Sequence, residues 1–371
     1  MYIICSTCFD MQKRDSKETE VLQCLAILPV NCECTKKELE DWFGFKKSDW
    51  SALIQDGWLN FDINKKVYSL HPLVRTIVRF DFAEDAQNEK NIAPQGTADK
   101  ILDYFADNDE WYDIANGYVS LQRLIGIVEA TMGAVAYEES ERFGSLYNRL
   151  GYIHNNLGAY DKALEYYEKA LAIREKVLGT EHPDSATTYN NIGLVYDDKG
   201  DYDKALEYFE KAVAIRKKTQ GTGHPDIATN YNNIGVVYRK KGDYGKALEY
   251  FEKAVAIRKK TQGTEHPDIA TNYNNIGLVY NNKGDYDKAL KYYEKALAIK
   301  EKVYDTEHPS TATSYNNIGS VYYQMKKYRE ALNYLGKALQ IRKTKLGNDH
   351  PYTIGTQEWI DATKAAMSKG K

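Results

Sequence analysis

The sequence predicts an all-α solenoid, a stack of repeated helix pairs, preceded by a small N-terminal domain of a different kind. Along the second half of the chain a proline recurs every 42 residues, and a tyrosine recurs in the same register. A fixed period in this range is typical of solenoid proteins. The recurring positions are Pro183, Pro225, Pro267, Pro309 and Pro351, and Tyr189, Tyr231, Tyr273 and Tyr315.

Each repeat is predicted to be two antiparallel amphipathic helices. Apolar and small residues fall at helical i, i+3, i+4, i+7 spacing in two segments of every copy. In the copy that begins at Pro183 they are Tyr189, Ile192, Gly193 and Tyr196, then Ala205, Leu206, Phe209, Ala212 and Val213. Gly193 and Ala205 leave room for the partner backbone, and the aromatic side chains fill the space beside them.

A winged-helix domain is predicted for residues 16–85, after a tail of residues 1–15. Three amphipathic helices come first, at residues 16–28, 35–43 and 48–57. The second begins at a capping box, Thr35 followed by Glu38. Two short strands around a turn at residues 62–65 then form a wing.

The rest of the chain divides into three segments, according to whether the residues of the 42-residue repeat are present. Residues 86–139 have helical periodicity but lack the recurring residues, so they are predicted to be a helical linker. Residues 140–351 hold five 42-residue repeats. Residues 352–371 are predicted to be a capping helix with Trp359 and Ile360 on its inner side.

The repeats resemble the tetratricopeptide repeat in its 42-residue, kinesin-light-chain-like form. The resemblance rests on the recurring residues above and on the segment LGTEHPD at residues 178–184, which matches the loop between such repeats. Gly179 is placed to end one helix and Pro183 to begin the next. The resemblance implies a right-handed tetratricopeptide-repeat superhelix with a protein or extended peptide as its partner.

The N-terminal domain resembles the winged helix of STAND-type signalling ATPases with an NB-ARC domain. The segment from Asp56 to Arg79 carries this resemblance, and His71 takes the place of a family histidine that contacts bound ADP. Pro72, however, replaces the aspartate of that motif. The resemblance implies the C-terminal sensor half of such a switch, with an upstream NB-ARC-type ATPase domain as a further partner.

The chain itself contains no GxxxxGK[ST] phosphate-binding loop, so no cofactor and no enzymatic activity are expected. Two other functions stay open at this stage. One is a stand-alone peptide-binding adaptor resembling kinesin light chain. The other is a winged-helix DNA-binding regulator, although the third predicted helix has neither arginine nor lysine to contact DNA.

A column of asparagine pairs is the candidate binding groove. By resemblance the first helix of each repeat lines the concave face, and the second asparagine of each pair matches a peptide-clamping residue. A carboxamide both donates and accepts hydrogen bonds, so the column suits the main chain of an extended peptide. The predicted groove residues are Asn148, Arg149, Asn190, Asn191, Asn232, Asn233, Asn274, Asn275, Asn316 and Asn317.

Further along the same helices the copies differ, and these positions are predicted to select the partner. Their charge changes from acidic to basic to neutral along the array. They are Asp197, Asp198, Arg239, Lys240, Asn281, Asn282, Tyr323 and Gln324. The alternative is a spacer without a ligand, in which the asparagines bond to neighbouring repeats.

Charge and composition exclude several other classes. The formal net charge of −3 offers no field for nucleic acid in general, and no apolar run approaches the length of a membrane span. The expected location is therefore the cytoplasm. All five cysteines precede residue 36, where free thiols are favoured over a four-thiolate zinc site. The histidines of the repeats lie too far apart along the array to share a metal.

Overall fold

The computed structural model describes residues 34–35, 59–62, 67–70, 125, 128–129, 132, 140–304 and 306–369. The chain forms two compact units, Met1–Thr180 and Glu181–Lys371. Within the described residues the predicted helical solenoid is confirmed, since eleven α-helices follow one another from Glu141 onward. No described helix has the length and apolar character needed to cross a membrane.

A three-stranded antiparallel sheet lies in the first unit. Its strands are β1 (Cys34–Thr35), β2 (Leu59–Asp62) and β3 (Val67–Leu70), in the order β1–β3–β2. The hairpin β2–β3 corresponds to the two strands predicted from the sequence, and β1 is a strand that the sequence analysis missed. Apart from Thr35, which lies in β1 at the predicted start of the second helix, the three predicted helices lie outside the described residues. His71 and the cysteines other than Cys34 do so too. The winged helix and the zinc alternative therefore remain predictions.

The first unit also contains the helix pair α1 (Glu141–Asn156) and α2 (Tyr160–Val177). Ahead of it, Ile125, Val128 and Met132 are helical and buried. Glu129 accepts a hydrogen bond from the Tyr166 hydroxyl of α2 and lies 3.9 Å from Nε2 of the buried His154 of α1. The contact with His154, more than any other, lowers the pKa of Glu129.

The second unit contains four helix pairs and a final single helix. The first helices of the pairs are α3 (Pro183–Asp198), α5 (Pro225–Lys240), α7 (Pro267–Asn282) and α9 (Pro309–Gln324). The second helices are α4 (Tyr202–Gln220), α6 (Tyr244–Gln262), α8 (Tyr286–Val303) and α10 (Tyr328–Leu346). The final helix, α11 (Pro351–Lys369), begins one residue before its predicted start.

Histidine caps the N-terminus of every first helix in this unit and of α11. The unprotonated Nδ1 of the ring accepts a hydrogen bond from the backbone N–H two residues further on, as an N-cap side chain does. Proline follows at the first helical position, where no N–H is needed. The capping residues are His182, His224, His266, His308 and His350, with N···N distances of 3.1–3.3 Å.

A glycine of the first helix receives an aromatic ring of the second, as the sequence predicts. A Cβ atom on Gly193 would lie 2.7 Å from the Phe209 ring, and Gly235 stands in the same relation to Phe251. Both rings are fully buried. Any side chain at these glycines would therefore force the two helices apart.

In the second unit the second helix of each repeat also carries a buried cation that bonds to the next helix pair or to α11. Arg216 and Arg258 donate from Nη1 to the side-chain oxygens of Asn230 and Asn272. Each arginine also has an aspartate of the next helix near its Nε: Asp226 at 3.7 Å and Asp268 at 3.6 Å. These contacts offset part of the cost of burying a guanidinium.

The junction of α8 with α9 breaks this pattern at three positions. Lys300 replaces the arginine, Ser314 replaces the asparagine and Ser310 replaces the aspartate. Nζ of Lys300 donates to the backbone oxygen of Ser310 at 3.0 Å, and no described carboxylate pairs with it. Burial lowers the pKa of Lys300 to about 8.

Candidate functional site

The first asparagine bonds to the next helix pair or to α11 in three of the four pairs of the second unit, at Asn190, Asn232 and Asn316. Oδ1 of Asn190 accepts hydrogen bonds from Nδ2 of Asn230 at 2.9 Å and of Asn233 at 3.0 Å. One repeat further on, Asn232 accepts from Asn272 at 3.0 Å and Asn275 at 2.8 Å. Successive first helices are thus held side by side, and we call the surface that they form the asparagine face. It comprises Asn190, Asn191, Asn232, Asn233, Asn274, Asn275, Asn316 and Asn317.

The second asparagine takes part in the same ladder but retains bonding capacity. Asn233 donates one N–H to Asn190 and accepts one hydrogen bond from Asn232 at 3.5 Å. A carboxamide has two N–H groups and two lone pairs, so one of each remains on Asn233. On sequence alone the spacer ladder and the binding groove are alternatives, whereas this geometry allows one asparagine to serve both purposes.

The ladder is interrupted beside Ser314. Oδ1 of Asn274 and Oγ of Ser314 are both buried, and neither has a hydrogen-bond partner among the described residues. At the corresponding place in the last junction, Asn316 accepts from Thr356 at 3.2 Å and from Arg342 at 3.4 Å. Among the described residues, hydrogen bonds therefore link the first helices up to α7 and link α9 to α11, but the ladder is broken between α7 and α9.

Asn148 and Arg149 lie on α1, in the other compact unit, and both are half-buried. The structure therefore groups the eight asparagines of the second unit with one another.

A row of aliphatic side chains accompanies the asparagines and was missed by the sequence analysis. Leu194, Val236 and Leu278 follow the second asparagine of their pairs by three residues, which places them on the same side of the helix. All three are half-buried and pack against the core of the array. Ser320 takes this position in α9. The recurrence of an aliphatic residue every 42 positions could have revealed this row in the sequence.

Two of the predicted selecting residues neutralise each other. Nζ of Lys240 lies 2.9 Å from both carboxylate oxygens of Asp197, on the neighbouring first helix. Asp197 is buried. Arg239, by contrast, makes no hydrogen bond or ion pair with any described residue, and its Nε is buried without a partner.

The remaining selecting positions differ in burial and in the contacts that they make. Asn281 is half-buried, its Oδ1 lacking a partner among described residues, while Asn282 and Gln324 are exposed. Asp198 is exposed as well. Tyr323 packs edge-on against Trp359 of α11 at a ring separation of 5.4 Å. Because Trp359 occupies the register of the second asparagine, this aromatic pair ends the asparagine face.

The described residues do not suggest metal chemistry. No group of three or more histidine, cysteine, aspartate or glutamate side chains converges among them. The repeated histidines instead cap helices at the turns between repeats, by accepting a hydrogen bond from a backbone N–H.

Sequence comparison identifies the repeats. The tetratricopeptide-repeat family model matches residues 142–218, 198–260, 226–281 and 268–344, which together cover more than half of the chain. No curated protein sequence matches the chain significantly.

Solved structures show the same architecture. BtubC (BKLC) from P. vanneervenii is 23% identical, with a TM-score of 0.50 over 69% of this chain and 92% of its own. A STAND protein with a tetratricopeptide repeat sensor from Pyrococcus horikoshii is 15% identical, with a TM-score of 0.53 over 98% of this chain and 56% of its own. At these identities the matches establish the fold alone. The nearly identical TPR-like repeats attributed to a kinesin light chain of Podosopora anserina are 27% identical, with a TM-score of 0.48, covering 56% of this chain and 98% of theirs.

Proposed function

The chain belongs to the tetratricopeptide-repeat family, and we propose that it is a non-catalytic scaffold that binds an extended protein segment on its asparagine face. The repeats of this family form scaffolds for protein binding. What the proposal adds is the surface used and the manner of binding.

The observation that carries this proposal is the pairing of two parallel rows on one face. The ladder fixes Asn233 and Asn275 at a regular spacing and leaves part of their hydrogen-bonding capacity for a ligand. The row of Leu194, Val236 and Leu278 offers half-buried aliphatic surface beside them. An extended segment presents main-chain amides and alternate side chains at once, so polar and apolar rows side by side suit it.

A peptide-display selection on the purified chain tests this surface. The informative variant replaces Leu194, Val236 and Leu278 with serine, the residue already present at 320, and leaves every ladder asparagine in place. The matched control replaces Glu210, Glu252 and Glu294 with serine, because these exposed residues recur at the same 42-residue interval on the second helices.

We expect the row variant to bind the selected peptides at least about tenfold more weakly, since each buried side chain of this kind is worth about 1.5–3 kcal/mol. The control should bind them as the wild type does. Equal binding by wild type, row variant and control would assign the peptides to another surface and favour the spacer alternative.

We further propose that the chain is the sensor part of a STAND-like switch, with binding on the asparagine face as its input. Two observations support this. The likeness to the STAND protein with a repeat sensor extends over 98% of this chain, and the segment from Asp56 to Arg79 resembles the winged helix of such proteins. The ATPase domain required by the proposal is a separate partner or a neighbouring segment.

Affinity purification of the chain from its native cells tests the second proposal. We expect recovery of a polypeptide that carries a GxxxxGK[ST] loop, whose ATP hydrolysis changes when a peptide selected on the asparagine face is added. Recovery of the chain without any P-loop ATPase would leave the stand-alone adaptor as the better description.

A further inference from the structure

A small pocket lies beside the fourth repeat of the second unit, away from the asparagine face. It has a volume of about 210 Å³ and lies between the turn that precedes α9 and the helices α9 and α10. Tyr315 and Ile341, both buried, form its floor. Glu307, Lys337, Thr344 and Lys345 surround it, and no residue of the asparagine face lines it.

An ion pair that is present in two other repeats of the unit is missing at this pocket. In the first repeat of this unit Lys218 bonds to Glu181, which bridges the turn and the second helix. In the third, Lys302 bonds to Glu265 at 2.5 Å. At the same register the fourth repeat has Glu307 opposite Thr344, whose short side chain cannot make this bridge.

Lys337 lacks the acidic partner that its register has in other repeats. In the first two repeats of the unit the residue at the register of Lys337 pairs with a glutamate one turn earlier: Lys211 with Glu207 at 2.7 Å and Lys253 with Glu249 at 2.5 Å. Asn333 stands at that place in the fourth repeat. Lys345 is an added cation, because threonine or valine holds its register in the other repeats of the unit.

The floor of the pocket holds one of these lysines in place. Nζ of Lys337 lies 5.4 Å from the centre of the Tyr315 ring, within the range of a cation–π contact. The Tyr315 hydroxyl donates to Glu301 at 2.5 Å, and burial together with this bond raises the pKa of Tyr315 to about 12. The ring is therefore neutral and fixed. Among the lining residues two lysines face a single carboxylate, that of Glu307.

We propose that this pocket binds a carboxylate carried on a short apolar stem, such as the acidic side chain of a second protein. The carboxylate would accept hydrogen bonds from Lys337 and Lys345, which are free of ion pairs with described residues, and the stem would lie on Tyr315 and Ile341. This site is independent of the asparagine face. It would give the scaffold a second contact with a partner or a first contact with another protein.

Nuclear magnetic resonance titration of the full chain with propionate tests the proposal, because propionate reproduces the glutamate side chain. Propionamide is the neutral control of the same shape, and inorganic phosphate distinguishes a carboxylate site from a phosphate site. Two variants accompany the wild type. Lys345→Gln removes one cation, and Thr344→Lys places beside Glu307 the lysine that bonds to glutamate at the same register of two other repeats, where it would cover the pocket.

We expect saturable shifts of the Tyr315 and Ile341 signals with propionate, none with propionamide, and binding at least about tenfold weaker in both variants. Loss of binding in Thr344→Lys is informative because this variant copies a pair found in the same array and should keep the fold. Three results would overturn the proposal: equal responses to propionate and propionamide, unchanged propionate binding in Thr344→Lys, or saturation with phosphate alone.

Discussion

Lys240 donates to both carboxylate oxygens of Asp197 across two neighbouring repeats. These two residues lie 43 positions apart in the sequence, at positions that vary from copy to copy and were therefore predicted to select the partner. In the structure they form an internal ion pair instead. The only neighbouring cation left without an acidic partner among the described residues of this pair of helices is Arg239.

Arg239, rather than Lys240, should therefore select acidic segments on the asparagine face. Arg239→Gln should weaken binding of acidic peptides at least about tenfold, since a hydrogen bond to a charged group contributes about 1.5–3 kcal/mol. Lys240→Gln should instead lower the melting temperature, because it leaves the buried Asp197 without its cation. Calorimetric titration and thermal unfolding separate the two effects. Equal loss of affinity in both variants would contradict this assignment.

Adding a methyl group at Gly235 should destabilise the array. Gly235→Ala places Cβ 2.7 Å from the Phe251 ring, and overpacking of this kind costs about 1–3 kcal/mol. Gly336→Ala is the matched control, since nothing lies within 4 Å of its Cβ position and the site is inside α10. It should stabilise by about 1 kcal/mol through helix propensity. Denaturant unfolding measures both, and a neutral Gly235→Ala would contradict the predicted packing.

The stability of the wild type should rise between about pH 8 and pH 10 relative to a Lys300→Met variant. The pKa of Lys300 is about 8 in the folded chain, against an ordinary value of 10.5. The unfolded chain therefore binds more protons in this interval, and stability increases with pH. The difference should be on the order of 2–3 kcal/mol, at about 1.4 kcal/mol per pKa unit. Urea unfolding at several pH values measures it, and parallel curves for both proteins would refute it.

Ser314→Asn should repair the interrupted ladder. An asparagine there would have an N–H for Oδ1 of Asn274 and an oxygen for Lys300, as Asn230 has for its neighbours. We expect about 1 kcal/mol of added stability and slower amide exchange in α9. Thr313→Asn, on the exposed adjacent position, should change stability by less than about 0.5 kcal/mol. Indistinguishable exchange in the two variants would show that the junction is not a weak step.

The helices and their pairing could be predicted because repetition reveals them several times over. Gly193 and Phe209 recur in compatible positions in the following copies, so their contact follows from helical spacing and size alone. The strands β2 and β3 were predictable from their alternation and turn. β1 was not, because a two-residue strand is too short to produce a pattern.

The use of each polar side chain could not be predicted in the same way. A sequence places Asn190 on a face but does not specify whether its amide bonds to a ligand or to Asn233. The pairing of Asp197 with Lys240 depends on how adjacent helices are offset, which is a property of the stack. The exception at Lys300 is visible in the sequence, because the arginine, the aspartate and the asparagine of the repeat are all replaced at this one junction.

The histidine caps make the start of each first helix a local matter. Nδ1 of each ring accepts the backbone N–H two residues further on, so every cap bonds within its own helix. Replacing one histidine with alanine should therefore cost about 0.5–2 kcal/mol at that helix and leave the caps of the neighbouring repeats in place. The array can lose a single cap without losing the order of its helices.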